Sequence, residues 1–138
     1  MDDKKRILAA IVDDDSSLCK ALGRLFRAAG IDSLAYCSAE QFLETGPMAE
    51  PDCLILDIQL PGMSGIELQQ KLRASGRDLP IIFITAHDEP ETRIQGERAG
   101  CLAYLRKTDP GDSVLEAIYG ISAKKTRMPA MAALAPVS

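Results

Sequence analysis

No stretch of the chain approaches the roughly 18 consecutive apolar residues that a membrane-crossing helix needs, so no membrane span is expected. The one apolar run near the N-terminus, Ile7 to Val12, is too short for a secretory signal and leads straight into Asp13-Asp14-Asp15. The four cysteines, Cys19, Cys37, Cys53 and Cys101, form no Cys-x-x-Cys and no paired spacing of a zinc site. Three of them sit in apolar or helical patterns, which reads as buried thiols in a reducing, cytoplasmic setting. Positive charge is also short: 16 Lys and Arg face 20 Asp and Glu, for a net charge of -4. Phosphate contacts need clustered positive charge, so no direct nucleic-acid contact is expected. Only one histidine is present, His87, beside Asp88 and Glu89 with no second nitrogen ligand; it reads as a surface residue.

What remains is an ordinary globular composition, 46% hydrophobic and 26% charged, at a length that suits one core. Short apolar runs cover Ile7 to Val12, Cys53 to Leu56, Ile81 to Ile84 and Leu102 to Leu105, with a weaker one over Ser33 to Tyr36. Three are continuous rather than alternating, the pattern of parallel strands covered on both faces. Between them lie helical patterns. Leu18, Leu22, Leu25, Phe26 and Ala29 share one face before Gly30, and Ser38 with Gln41 and Ser64 with Glu67 fit capping boxes. Leu68 and Leu72 follow the second box toward Gly76. Glu91 to Ala99 is a charged helix, and Val114, Leu115, Ile118 and Ile121 define a last one, with an N-cap expected at Asp112 or Ser113. Strictly alternating strands and helices predict an α/β fold: a doubly wound, five-stranded parallel sheet of flavodoxin-like order 2-1-3-4-5 with five helices. Residues 1–121 form that domain, and 122–138, with Pro129 and Pro136 among alanines, read as a flexible tail.

Ligands in such sheets bind beyond the carboxyl ends of the strands, where strand order reverses. There the sequence puts Asp13, Asp14 and Asp15 after the first strand, Asp57 after the third, Thr85 after the fourth and Lys107 at the end of the fifth. Crowded carboxylates resist ionising without a cation, and an all-oxygen set suits Mg2+. One Asp among them can act as a nucleophile toward phosphorus, with the ion and Lys107 supplying positive charge and Thr85 a hydroxyl. Taken alone, each residue has a plain reading: Asp15 as helix cap, Thr85 as a strand residue, Lys107 as a solvated charge, and Pro61-Gly62 and Ser64-Gly65 as a turn.

Together these segments resemble the receiver domain of two-component response regulators, the CheY-like family. The resemblance rests on Val12-Asp13-Asp14-Asp15, on Leu54-Ile55-Leu56-Asp57 running into Leu60-Pro61-Gly62-Met63-Ser64-Gly65, on Ile84-Thr85-Ala86 and on Tyr104-Leu105-Arg106-Lys107. It implies that Asp57 accepts a phosphoryl group from the phosphohistidine of a sensor kinase or phosphotransfer protein. It further implies that Asp13, Asp14, Asp57 and the backbone carbonyl of Gln59 hold Mg2+ and that Lys107 contacts the phosphoryl group. Thr85 and Tyr104 match the family's paired conformational switch, acting on a downstream protein target. A homodimer through the fourth helix and fifth strand is a further implication, with Arg93, Glu97 and Arg98 placed there.

One position departs from the family pattern: Thr108 follows Lys107 where a proline is usual, and Pro110 comes later. A cis bond there would cost about 2.5–4 kcal/mol without proline, so a trans bond and a reshaped loop are expected. A stand-alone receiver is expected, since no helix-turn-helix follows Ile121. The alternative is the receiver half of a DNA-binding regulator. An aspartyl-phosphate hydrolase of the haloacid-dehalogenase type would want an acid two residues after its nucleophile, where Gln59 stands.

Overall fold

The computed structural model describes residues 6–45, 50–86 and 89–121. Its five strands are β1 (Leu8–Val12), β2 (Asp32–Tyr36), β3 (Cys53–Asp57), β4 (Ile81–Thr85) and β5 (Ala103–Arg106). All neighbours pair in parallel, in the order β2-β1-β3-β4-β5. Between them run α1 (Ser16–Ala28), α2 (Ala39–Glu44), α3 (Gly65–Ala74) and α4 (Pro90–Arg98), and a helix α5 covers 111–121. The expected flavodoxin-like architecture is therefore present. The tail over 122–138 and His87 lie outside the described residues.

Burial follows strand position. Every residue of β3 and β4 is buried, whereas the edge strands β2 and β5 read exposed or half-buried along most of their length. Because side chains alternate across a strand, the central strands feed two cores. Ala9, Ile11, Ile55, Ile82 and Ile84 meet α1 through Leu22 and Phe26, and α5 through Val114 and Ile118. Ala10, Val12, Leu56 and Phe83 meet α2 through Phe42 and α3 through Leu68 and Leu72. The continuous apolar runs arise from this double cover. Helix α4 contributes least, with Gly96 its one buried residue.

Local signals set most helix ends. The Asp15 carboxylate caps α1 by accepting from the N–H groups of Ser17 and Leu18, and Gly30, at φ 81°, takes the left-handed turn after it. Ser64 and Glu67 form the expected reciprocal box at α3. Two expectations need correction. Ser38 accepts from the Gln41 N–H, but the Gln41 side chain accepts from Cys37 rather than from Ser38, one residue earlier than a full box requires. Helix α5 starts at 111, so Asp112 and Ser113 lie inside its first turn. The chain reverses sooner because Asp109 folds back, donating its N–H to the Arg106 carbonyl while its carboxylate accepts from the Arg106 N–H. The cysteines differ too: Cys53 is buried, Cys19 and Cys101 are half-buried, and Cys37 is exposed.

Candidate functional site

Strands β3 and β4 each run one residue further than their apolar patterns, so Asp57 and Thr85 are the last residues of their strands. Asp13 follows β1 directly and extends its ladder, its N–H donating to the Tyr36 carbonyl. Neighbouring β1 and β3 therefore deliver Asp13 and Asp57 side by side. Carboxylate oxygens of Asp13, Asp14 and Asp57 lie within 4.8 Å of one another. Asp13 and Asp57 are almost fully buried, at 1% and 3% exposure, while Asp14 is exposed.

Two buried carboxylates at this range need compensation. The Asp15 N–H donates to Asp13 Oδ1 at 2.8 Å, and the Gln59 N–H to Asp57 Oδ1 at 3.0 Å. Lys107 Nζ stands 2.9 Å from Asp13 Oδ2 and 3.2 Å from Asp57 Oδ2. Burial first, then the Asp13 charge, push the Asp57 carboxyl above the usual carboxylate range, and the Gln59 N–H and Lys107 only partly reverse this. Burial alone would lower Lys107, but the Asp13 hydrogen bond and both carboxylate charges outweigh it and hold the ammonium above the ordinary lysine value. The two directions agree because one ammonium serves two carboxylates: it gains from both, while Asp57 has only a share of it.

Thr85 is fully buried, and its carbonyl accepts from the Lys107 N–H at 2.8 Å. That bond and the Asp109 turn place Lys107 with a trans peptide to Thr108, so the lysine reaches both carboxylates without a following proline. Tyr104 pairs with Phe83 across β4 and β5. Its half-buried ring lies against Gly96 of α4 and under the Arg93 guanidinium, 4.7 Å from the ring centroid.

The donor set fits a hard divalent cation. Asp13 Oδ2 is buried and accepts no hydrogen bond among the described residues, its nearest cation being the Lys107 ammonium. One ammonium leaves this cluster of three carboxylates short of positive charge, and an all-oxygen donor set suits magnesium.

The family model described as the response regulator receiver domain matches residues 9–119. The chain belongs to the response regulator receiver family. It is 35% identical over 118 residues to the response regulator protein TmoT of Ectopseudomonas mendocina, covering 86% of this chain and 53% of TmoT. It is 34% identical over 121 residues to the C4-dicarboxylate transport transcriptional regulatory protein DctR of Rhodobacter capsulatus, covering 86% of this chain and 61% of DctR. A solved receiver protein from Burkholderia phymatum shares 39% identity at a TM-score of 0.74, over 84% of this chain and 94% of its own. The chain thus spans between half and two-thirds of the length of these curated relatives. As a receiver domain it is a signalling module rather than a member of a conventional enzyme family. No helix among the described residues is long and apolar enough to cross a membrane.

Gly65, expected only as a turn residue, and Glu40, which the sequence does not single out, both matter near the site. A Cβ on Gly65 would fall 2.3 Å from the Asp57 backbone oxygen, so this glycine is required by contact with the site strand and not by turn geometry alone. Glu40 of α2 accepts from the Met63 N–H at 2.9 Å, tying a distant helix to the loop after Asp57. A cleft of about 790 Å³ between α3 and α4 shares Gln59 with the carboxylate site but is otherwise walled by Gln70, Gln95, Arg98 and their neighbours.

Proposed function

We propose that this receiver accepts a phosphoryl group on Asp57, with Mg2+ held by Asp13, Asp14, Asp57 and the Gln59 carbonyl. The observation that carries this is the convergence of three carboxylates and one ammonium at the carboxyl edge of the sheet. An Asp57 oxygen forms the new bond to phosphorus as the bond to the donor's leaving group breaks, an imidazole nitrogen when the donor is a phosphohistidine. The magnesium ion, when bound, neutralises charge on the transferring oxygens. Lys107 contributes the protein's own positive charge at the same place. The Gln59 N–H and the Lys107 ammonium hold Asp57 in one orientation before transfer. Phosphorylation and its reversal are then catalysed within the domain itself, with no separate active site.

The phosphoryl group adds about -1.5 to -2 charges and three acceptor oxygens. Thr85, buried at the end of β4, supplies the switch hydroxyl, and Tyr104 on the next strand, its ring against Gly96 of α4, carries the change to that helix. Output therefore passes through the α4–β5 face to a downstream protein, and a homodimer through that face is part of the proposal. Ile94 of α4, 49% exposed, supplies an apolar contact there. Cytoplasmic action beside a sensor histidine kinase or phosphotransfer protein completes this reading.

A second reading is favoured by one observation. The chain covers only part of its relatives, and DctR is named a transcriptional regulatory protein. The same receiver would then govern a DNA-binding region of a longer protein.

Incubation with acetyl phosphate and Mg2+, read by intact mass, tests the central claim. One phosphoryl group should be gained by the wild type and none by Asp57→Asn. Equal labelling of the two, or no labelling of either, overturns it.

A further inference from the structure

The loop joining β3 to α3 carries Gln59, and its two ends are fixed locally. At its base the Gly65 N–H donates to the Ile58 carbonyl at 2.9 Å, and the Gln59 N–H grips Asp57 Oδ1. At its far end Ser64 is bound into the capping box of α3. The tip, Gly62-Met63, is held from elsewhere. Glu40, in the first turn of α2, accepts from the Met63 N–H through Oε2 at 2.9 Å. Gly62 makes room for this carboxylate: its φ is 77°, and a Cβ there would stand 2.7 Å from the same Oε2. A positive-φ glycine, the Met63 N–H and a carboxylate from a separate helix thus form one matched seat at the surface.

We infer that Glu40 is a positioning residue for the metal site. By holding the tip of the loop it adds to the local bonds that place the backbone of Gln59, whose N–H orients Asp57 and whose carbonyl completes the Mg2+ ligands; this last point rests on the function proposed above. Groups that orient a metal ligand from outside the coordination sphere typically affect affinity about 10–100-fold. Glu40 acts one step further out and is solvent-exposed, so an effect of about three- to tenfold is expected.

The test is a Mg2+ titration followed by the backbone amide resonances of Asp57 and Gln59, on wild type, Glu40→Ala, Glu40→Gln and Gly62→Ala. Glu40→Ala should raise the Mg2+ dissociation constant about fivefold, and Gly62→Ala should weaken binding in the same direction by crowding the carboxylate. Glu40→Gln keeps an acceptor oxygen and should fall between wild type and alanine. Labelling by acetyl phosphate should slow at low Mg2+ and recover at saturating Mg2+, because the fault lies in binding. A purely structural tether would lower thermal stability in these variants and leave the dissociation constant unchanged. That result, in whichever of Glu40→Gln and Glu40→Ala remains folded, overturns the inference while wild-type labelling preserves the receiver reading. A wild type that neither binds Mg2+ at these amides nor is labelled overturns both.

Discussion

The ammonium of Lys107 lies 3.2 Å from Oδ2 of Asp57, a contact between β3 and the residue just past β5, made while the same nitrogen is 2.9 Å from Asp13. One cation is shared between two buried carboxylates. Replacing Asp57 with Asn removes one of the two negative charges without changing shape. The metal-free Asp57→Asn protein should therefore melt at a higher temperature than wild type. A calorimetric midpoint at or below that of wild type would contradict this.

Lys107→Met keeps the length of the side chain and removes its charge. Loss of one preorganised positive group beside a developing charge costs about 10²- to 10³-fold in rate. Labelling of Asp57 by acetyl phosphate at saturating Mg2+ should slow on that scale, with a folded circular dichroism spectrum retained. A rate within a factor of about three of wild type would remove Lys107 from the transfer step.

Gly65 packs against the backbone of Asp57 so closely that even a methyl group must displace it. Overpacking of this kind costs about 1–3 kcal/mol. Gly65→Ala should lose stability on that scale in urea unfolding, and it should also slow labelling, because the displaced atoms belong to the phosphoacceptor. Stability lost with an unchanged labelling rate would separate the two effects and refute the second.

Gly96 gives the Tyr104 ring its place: a Cβ there would meet Cδ2 and Cε2 at 2.8 Å. Gly96→Ala should push the ring from its seat against α4 in the unphosphorylated protein. Ring resonances of Tyr104 should move, and their further response to acetyl phosphate should shrink. Superimposable spectra before and after the substitution would deny this glycine a part in the switch.

The Glu40 carboxylate is held below the usual range by the Met63 N–H, and then by its own N–H. A lowered folded value means the stabilisation is complete above the ordinary carboxylate range and disappears as pH falls through the lowered value. The stability advantage of wild type over Glu40→Gln should therefore shrink on acidification and not on raising the pH. Urea unfolding of both proteins from neutral pH downward measures it; a gap that widens in acid would reverse the sign.

Much of this was legible in order of residues. Continuous apolar runs at Cys53–Leu56 and Ile81–Ile84 announced strands covered on both faces, and strict alternation with capped helices announced the parallel sheet. Asp13, Asp57 and Lys107 were legible for the same reason, since strand ends collect the site in this architecture. Strand ends themselves were less so. Asp57 and Thr85 are polar residues inside the ladders, bonded as strand by neighbours that no local window contains. The start of α5 was misplaced because Asp109, not a residue of the helix, closes the turn.

The amino-acid sequence by itself determined the layered fold, the rim of acidic residues and the lysine opposite them, because hydrophobic periodicity and the polar residues that follow each apolar run are local properties. Only the tertiary structure decided that one ammonium spans both buried carboxylates, that Gly65 makes way for Asp57, and that Glu40 reaches Met63. Those contacts join segments brought together by packing, and their energies depend on distances and burial that arise only once the sheet has assembled.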